Sequence, residues 1–165
     1  MLIRLRTTQL DDINFILNAE NSEENRHFVF LWSESQHRYA LRDTNMAHFI
    51  VETSIEHRCV GYIILAGLSD PNLNIELKRI VITEKSKGFG RSALKFIKDY
   101  AFEQLHTHRL WLDVIERNSR AKSLYESEGF CVEGVLRECL KTTDGYQSLI
   151  LMSILEQEYR AKLSY

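Results

Sequence analysis

Ile75-Glu76-Leu77-Lys78-Arg79-Ile80-Val81-Ile82, then Lys85-Ser86-Lys87-Gly88-Phe89-Gly90-Arg91, then a run in which Phe89, Ala93, Ile97 and Ala101 recur every four residues: this stretch decides the fold. The first segment is apolar and rich in β-branched residues, which predicts a strand. The last has Leu94 and Phe102 beside its stripe, which predicts a helix of about four turns with one face apolar enough to pack on a sheet. Between them, glycines at 88 and 90 let the backbone curl with its N–H groups inward, while the helix aims its positive end at the same spot. Lys85, Lys87 and Arg91 add cationic charge. Strand, glycine turn and helix in that order form a cradle for phosphate groups.

Working outward, Leu2 to Arg6 alternates as a strand, and Thr8 with Asp11 is placed to cap a helix carrying Leu10, Ile13, Ile16 and Leu17 and ending near Asn18 or Ala19. Glu20 to Arg26 reads as an acidic loop, its Glu20, Glu23 and Glu24 as solvated surface that also suits a cationic acceptor. Phe28, Phe30 and Trp32 suit the core or a cleft wall, and a weak helix follows from about Ser35 to Leu41. Segments 47–52 and 59–65 predict an antiparallel hairpin bridged by 53–58, and Pro71 lies in a breaker before the central strand. Beyond the long helix, 110–115 reads as a strand, 118–127 as a helix ended by Gly129, and 130–140 with 146–155 as a hairpin turning at Asp144-Gly145. The pattern is a mixed α/β sheet in one layered domain spanning 1–165.

Composition narrows the function classes. The 165 residues hold 44% apolar and 27% charged residues, which describes a globular chain able to bury its own core. Lys and Arg number 21 against 23 for Asp and Glu, so there is no broad basic footprint for nucleic acid. Cys59, Cys131 and Cys139 are odd in number and far apart, which argues against a disulfide framework or a zinc ribbon and for a reducing, cytoplasmic setting. The six histidines show no ligand spacing, so no metal is expected. No segment approaches the ~18 apolar residues of a membrane span, and no targeting signal is expected.

A glycine turn has several possible owners. A dinucleotide fingerprint needs a third glycine and an early βαβ position. The nucleotide phosphate loop needs Gly-Lys-Ser/Thr, where this chain has Gly90-Arg91-Ser92. Lys85-x-x-Gly88-x-Gly90, by contrast, resembles the Gln/Arg-x-x-Gly-x-Gly/Ala turn of the GNAT superfamily of N-acetyltransferases. The departure is Lys85, which keeps the charge but lacks a planar fork. Asn118-x-x-Ala121-x-x-x-Tyr125-x-x-x-Gly129-Phe130 is similar to that family's downstream segment. The ending, Asp144-Gly145-Tyr146-Gln147 through Leu155, resembles the branch with ribosomal-protein amino-terminal and polyamine acetyltransferases.

The resemblance implies a mostly antiparallel mixed sheet flanked by helices. It also implies direct transfer of acetyl from acetyl-CoA to a primary amine, whether a protein amino terminus, a polyamine or a small amine, with no acyl-enzyme. Lys85, Lys87, Gly88, Phe89, Gly90 and Arg91 would hold the pyrophosphate, and Asn118, Ala121 and Tyr125 would contact CoA. Ile80, Val81 and Ile82 would border the thioester, with a backbone N–H near Ile80 polarising its carbonyl. Tyr125 would be the acid that protonates the thiolate and Glu76 the base that takes the amine proton. The rival reading is a CoA-binding module without transfer activity. A monomer, or a homodimer paired through the terminal hairpin, is expected.

Overall fold

The computed structural model describes residues 2–163. Among them, seven strands form one sheet in the order β1-β2-β3-β4-β5-β7-β6. The strands are β1 (Ile3–Thr7), β2 (Met46–Thr53), β3 (Cys59–Ala66), β4 (Asn74–Ile82), β5 (Arg109–Ile115), β6 (Cys131–Thr142) and β7 (Gly145–Leu155). Every neighbouring pair is antiparallel except β4 with β5. The helices are α1 (Ile13–Asn21), α2 (Glu34–Ala40), α3 (Phe89–Asp99), α4 (Ser119–Ser127) and α5 (Glu156–Leu163). None of the described helices is long and apolar enough to cross a membrane.

Each face of the sheet buries its own layer. On one, Ile63, Leu65, Ile75, Leu77 and Leu112 meet the expected stripe of α3, and Ala93, Leu94, Ile97, Ala101 and Phe102 are wholly buried there. Burying a large apolar side chain contributes about 1.5–3 kcal/mol, so this stripe fixes α3 on the sheet. On the other face, Ile16 and Ala19 of α1 pack on Ile50, Tyr62, Ile64 and Val81.

The α3 helix departs from the expected four regular turns at Tyr100–Gln104, a π-helical turn in which the Leu105 N–H reaches the Tyr100 carbonyl at 3.1 Å. The extra residue lets both Ala101 and Phe102 face the core. The α5 helix has no periodic apolar signal. It docks through Tyr159, which stacks on Phe102 at 4.7 Å and donates to Asp99 at 2.8 Å.

Two further expectations are corrected. Thr8 does not cap α1: its N–H still pairs with the His48 carbonyl and its hydroxyl lies 2.9 Å from His48 Nδ1, extending the β1–β2 ladder. Gln9 opens a 3-10 turn instead, with its N–H donated to Asp12. The α1 helix also runs to Asn21, so Glu20 is helical rather than in a loop.

Irregular pairing reshapes the centre. Val51 lies opposite Gly61 and Glu52 opposite Cys59, leaving Val60 as an extra residue in β3. Next along, a Cβ on Gly61 would stand 2.3 Å from the Val81 carbonyl oxygen, so β3 and β4 approach too closely there for any side chain. Gly61→Ala is expected to lower the unfolding free energy by roughly 1–3 kcal/mol, seen as a lower urea midpoint at unchanged slope. An unchanged midpoint would show that the backbone has room.

Candidate active site

The parallel pair β4/β5 is incomplete. Register runs only from Asn74 opposite Arg109 to Glu76 opposite Trp111, and beyond it the strands part. A bulge forces the separation: Arg79 lies opposite Ile64 and Leu77 opposite Leu65, so Lys78 is an extra residue that bends β4. It also switches the side-chain phase. Ile75 and Leu77 face the α3 layer before the bulge, while Ile80 and Ile82 face it afterwards. The gap is a cavity of about 780 Å³, walled by Leu77 to Ile80 and Ile82 on one side and Asp113 to Ile115 on the other. Above Glu76, the edge of β4 turned to the gap has no strand register with β5.

Two helix N-termini open at one lip. Gly88, at φ +78°, precedes α3, and Asn118 caps α4 by accepting from the Ala121 N–H at 3.2 Å. First-turn N–H groups have no intrahelical carbonyl, so both helices present free donors to the cavity. Ile80, Ile82, Lys85, Gly88, Phe89, Gly90, Arg91, Asn118, Ala121 and Tyr125 all line it. Glu76, Val81 and Lys87 are not among the lining residues. The Val81 side chain is buried against α1, and Lys87 pairs with Glu84 at 2.8 Å.

The cations at this lip are unequal. Lys85 turns inward, donating to the Ile82 carbonyl at 2.7 Å and to the Asn25 side chain, and its burial lowers its pKa. Arg91 pairs at 2.7 Å with Glu128, which also takes a bond from Lys98 at 2.9 Å and so locks α3 to α4. Arg120, which sequence reasoning missed, reaches from α4 to Ser86 Oγ at 3.2 Å and lines the cavity.

Deeper in the gap stand Tyr125 and Asp113. Tyr125 is 8% exposed and packs edge-on against Phe130; burial first, and the nearby Asp113 charge second, push its phenol well above the ordinary value. Burial raises the Asp113 pKa against the pull of Lys78 and Arg79. Glu76 sits lower, where the strands still pair, with Lys78 Nζ 3.3 Å from its carboxylate. Asp113 was not singled out from the sequence. Its signal is the alternation of β5, where Leu110, Leu112 and Val114 are buried in the core and Asp113 is the carboxylate between them.

A polar cluster is buried behind the cleft, next to Arg79. Glu20, read as solvated surface, is fully buried. It accepts from the Tyr62 hydroxyl and from the Trp32 N–H at 3.1 Å, and lies 3.2 Å from His37 Nε2. Burial alone would raise its pKa, but His37, Tyr62 and the Trp32 N–H together hold it below the ordinary carboxylate value. His48 stacks on Tyr62 at 5.6 Å and lies 5.8 Å from His37, a clustering that linear spacing concealed. Among the described residues, no group of three or more His, Cys, Asp or Glu is placed to hold a metal.

The segment 22–33 crosses above the cavity. Asn25 takes the Lys85 bond on one lip, while on the other Arg117 donates to the His27 carbonyl at 3.3 Å and lies over Phe28. Phe28 and Phe30 line the cavity, whereas Trp32 borders a separate hollow of about 290 Å³ with Tyr39 and Met46.

His48 gives the cluster a pH signature. Burial, and then the facing His37, push its pKa down to about 3, with Arg79 acting the same way and Glu20 and Asp12 opposing. An unfolded histidine titrates near ~6.5, so the unfolded chain binds the extra proton first. The stability from this group is whole above that pH and falls by about 1.4 kcal/mol per unit below it, until the folded state titrates too. His48→Gln is expected to flatten this slope in urea unfolding between pH 7 and 5. An equal slope in both proteins would remove His48 as its source.

The profile of the Acetyltransferase (GNAT) family matches residues 11–130. Over 168 residues, 95% of each chain, the sequence is 29% identical to spermidine N(1)-acetyltransferase of Vibrio cholerae. A crystal structure of spermidine N-acetyltransferase from Vibrio cholerae in complex with CoA and spermine matches with a TM-score of 0.86 at 27% identity, covering 96% of this chain and 98% of that one. A shorter match, 37% over 68 residues, joins 41% of this chain to 45% of the ribosomal protein bS18 alanine N-acetyltransferase of Escherichia coli.

Proposed function

The chain belongs to the Acetyltransferase (GNAT) family, and we propose how its cleft carries out that family's reaction. The activity is acetyl-CoA-dependent N-acetyl transfer to a primary amine. The observation that carries the site reading is the β4/β5 split, with two helix N-termini at its lip and Tyr125 and Asp113 inside.

The pyrophosphate of CoA lies against the Gly88–Arg91 backbone and the first turn of α3, with Arg120 supplying charge while Lys85 holds the turn from behind. The pantetheine arm enters the split, where its amides take the place of the missing strand along β4 and a backbone N–H near Ile80 polarises the thioester carbonyl. The amine gives its proton to Asp113, directly or through a water. It then attacks the carbonyl carbon, forming the C–N bond as the C–S bond breaks. Tyr125, kept neutral by its raised pKa, donates its proton to the departing thiolate, and the second proton lost by the acetylated nitrogen restores the phenol. The base in this reading is Asp113 rather than Glu76, because Asp113 lines the cavity and burial raises its basicity.

The match to a spermidine acetyltransferase along nearly the whole chain favours including a polyamine in any acceptor panel, and Glu24 and Asp113 supply acidic groups at the cavity. The assembly is read as a monomer or a homodimer, with β6 at the open edge of the sheet.

Free-thiol release from acetyl-CoA over a panel of amines tests the activity, and tight CoA binding without turnover of any amine would return the protein to a silent binding module. Tyr125→Phe is expected to lower kcat roughly 10²-fold while leaving the CoA dissociation constant unchanged. Unchanged turnover would remove Tyr125 from the acid role. Asp113→Asn should abolish the acidic limb of the pH–rate profile; if Glu76→Gln does so and Asp113→Asn does not, the base is Glu76.

A further inference from the structure

Among the described residues, Arg79 stands out on the cleft wall. It is 7% exposed and lines the cavity, and its guanidinium lies 4.8 Å from the Trp32 ring and 5.9 Å from that of Phe30. Its Nε has no hydrogen-bond partner. The facing carboxylate, Glu20, stands 3.9 Å from that nitrogen and is already shared among Tyr62, His37 and the Trp32 N–H. An aromatic face attracts a cation but accepts no hydrogen bond of ordinary strength. The Nε itself is shut off on the Glu20 side, but the guanidinium also lines the cavity and makes no hydrogen bond among the described residues, so it calls for an oxygen acceptor from the cavity.

The cavity has a second pole. Asp113, on the far strand, lines the same space and feels the charge of Arg79. A ligand carrying an ammonium and a carboxylate would face each pole with its opposite charge, and the planar guanidinium fork matches a carboxylate at two points. A polyamine offers only cations, and at this wall it would meet Lys78 and Arg79.

We propose that the amine acceptor carries a carboxylate gripped by Arg79, which makes it an amino-acid-type acceptor. The inference rests on the N-acetyltransferase reading and narrows its substrate.

The test measures kcat/KM by thiol release for matched acceptors: ornithine against 1,4-diaminobutane, phenylalanine against 2-phenylethylamine and against phenylalaninamide, with spermidine alongside. The carboxylate-bearing member of each pair should be favoured at least ~10-fold. Arg79→Gln should erase that preference by raising KM for the acids while leaving KM for acetyl-CoA unchanged, and Arg79→Lys should restore it only in part. Equal or better use of spermidine or the decarboxylated partners overturns the proposal while leaving acetyl transfer intact, and phenylalaninamide matching phenylalanine overturns the free carboxylate. Transfer to no amine at all defeats both readings. The wild-type ratios decide the question even if the Gln variant does not fold.

Discussion

The interaction on which this molecule depends is one that stops short. Parallel β4 and β5 bond over three residues each and then separate, because the Lys78 bulge bends one strand away. A fully zipped pair would satisfy its own backbone and leave no room for a ligand. An open one has donors and acceptors that must find partners elsewhere. The other neighbouring pairs are antiparallel and, despite bulges in β2–β3 and β6–β7, resume their register beyond each break, whereas β4 and β5 do not. The α3 and α4 helices start at the lip of this opening, and Tyr125 and Asp113 stand inside it.

The elements easiest to read from sequence were those whose signal is local. The α3 stripe at Phe89, Ala93 and Ile97, the β2–β3 hairpin and the Gly88 turn are each encoded within a few neighbouring residues, and the structure has them. The Asn118 cap is equally local, its side chain accepting from a backbone N–H only three residues along. What stayed hidden depends on distance in the chain. Glu20 looks like the start of an acidic loop until Tyr62, 42 residues away, donates to it. Asp113 looks like the polar step of an alternating strand until the β4 bulge opens a cavity beside it. The inward turn of Lys85 depends on Asn25, 60 residues earlier. The α5 helix, with its weak apolar pattern, is anchored by Tyr159 and by Arg160, which lies 3.5 Å from Glu103.

The buried cluster behind the cleft shows how ionisable groups are kept inside a fold. A lone carboxylate such as Glu20 would neutralise itself on burial, yet three donors converge on it. Tyr62 also presents a flat ring to His48 and T-shaped contact to His37. This network fixes Trp32, and with it the aromatic surface against which Arg79 lies. The wall is therefore defined by hydrogen bonds of fixed direction, where apolar packing alone would leave the side chains freer to shift.

The segment that crosses the cavity is held unevenly. At its far end the Trp32 N–H is tied to a fully buried carboxylate, whereas Arg117 meets the His27 carbonyl on the exposed surface. A surface bond of that kind nets about 0.5–1.5 kcal/mol. Phe28, Phe30 and Leu31 are 40%, 41% and 51% exposed, so swinging them into water forfeits only modest apolar contact. Local opening of this segment therefore takes a small fraction of the free energy needed to unfold the sheet below it. In hydrogen-exchange terms, the span from Arg26 to Leu31 is a thinly protected roof held between Asn25 and Trp32, over a sheet whose core strands open at far greater cost.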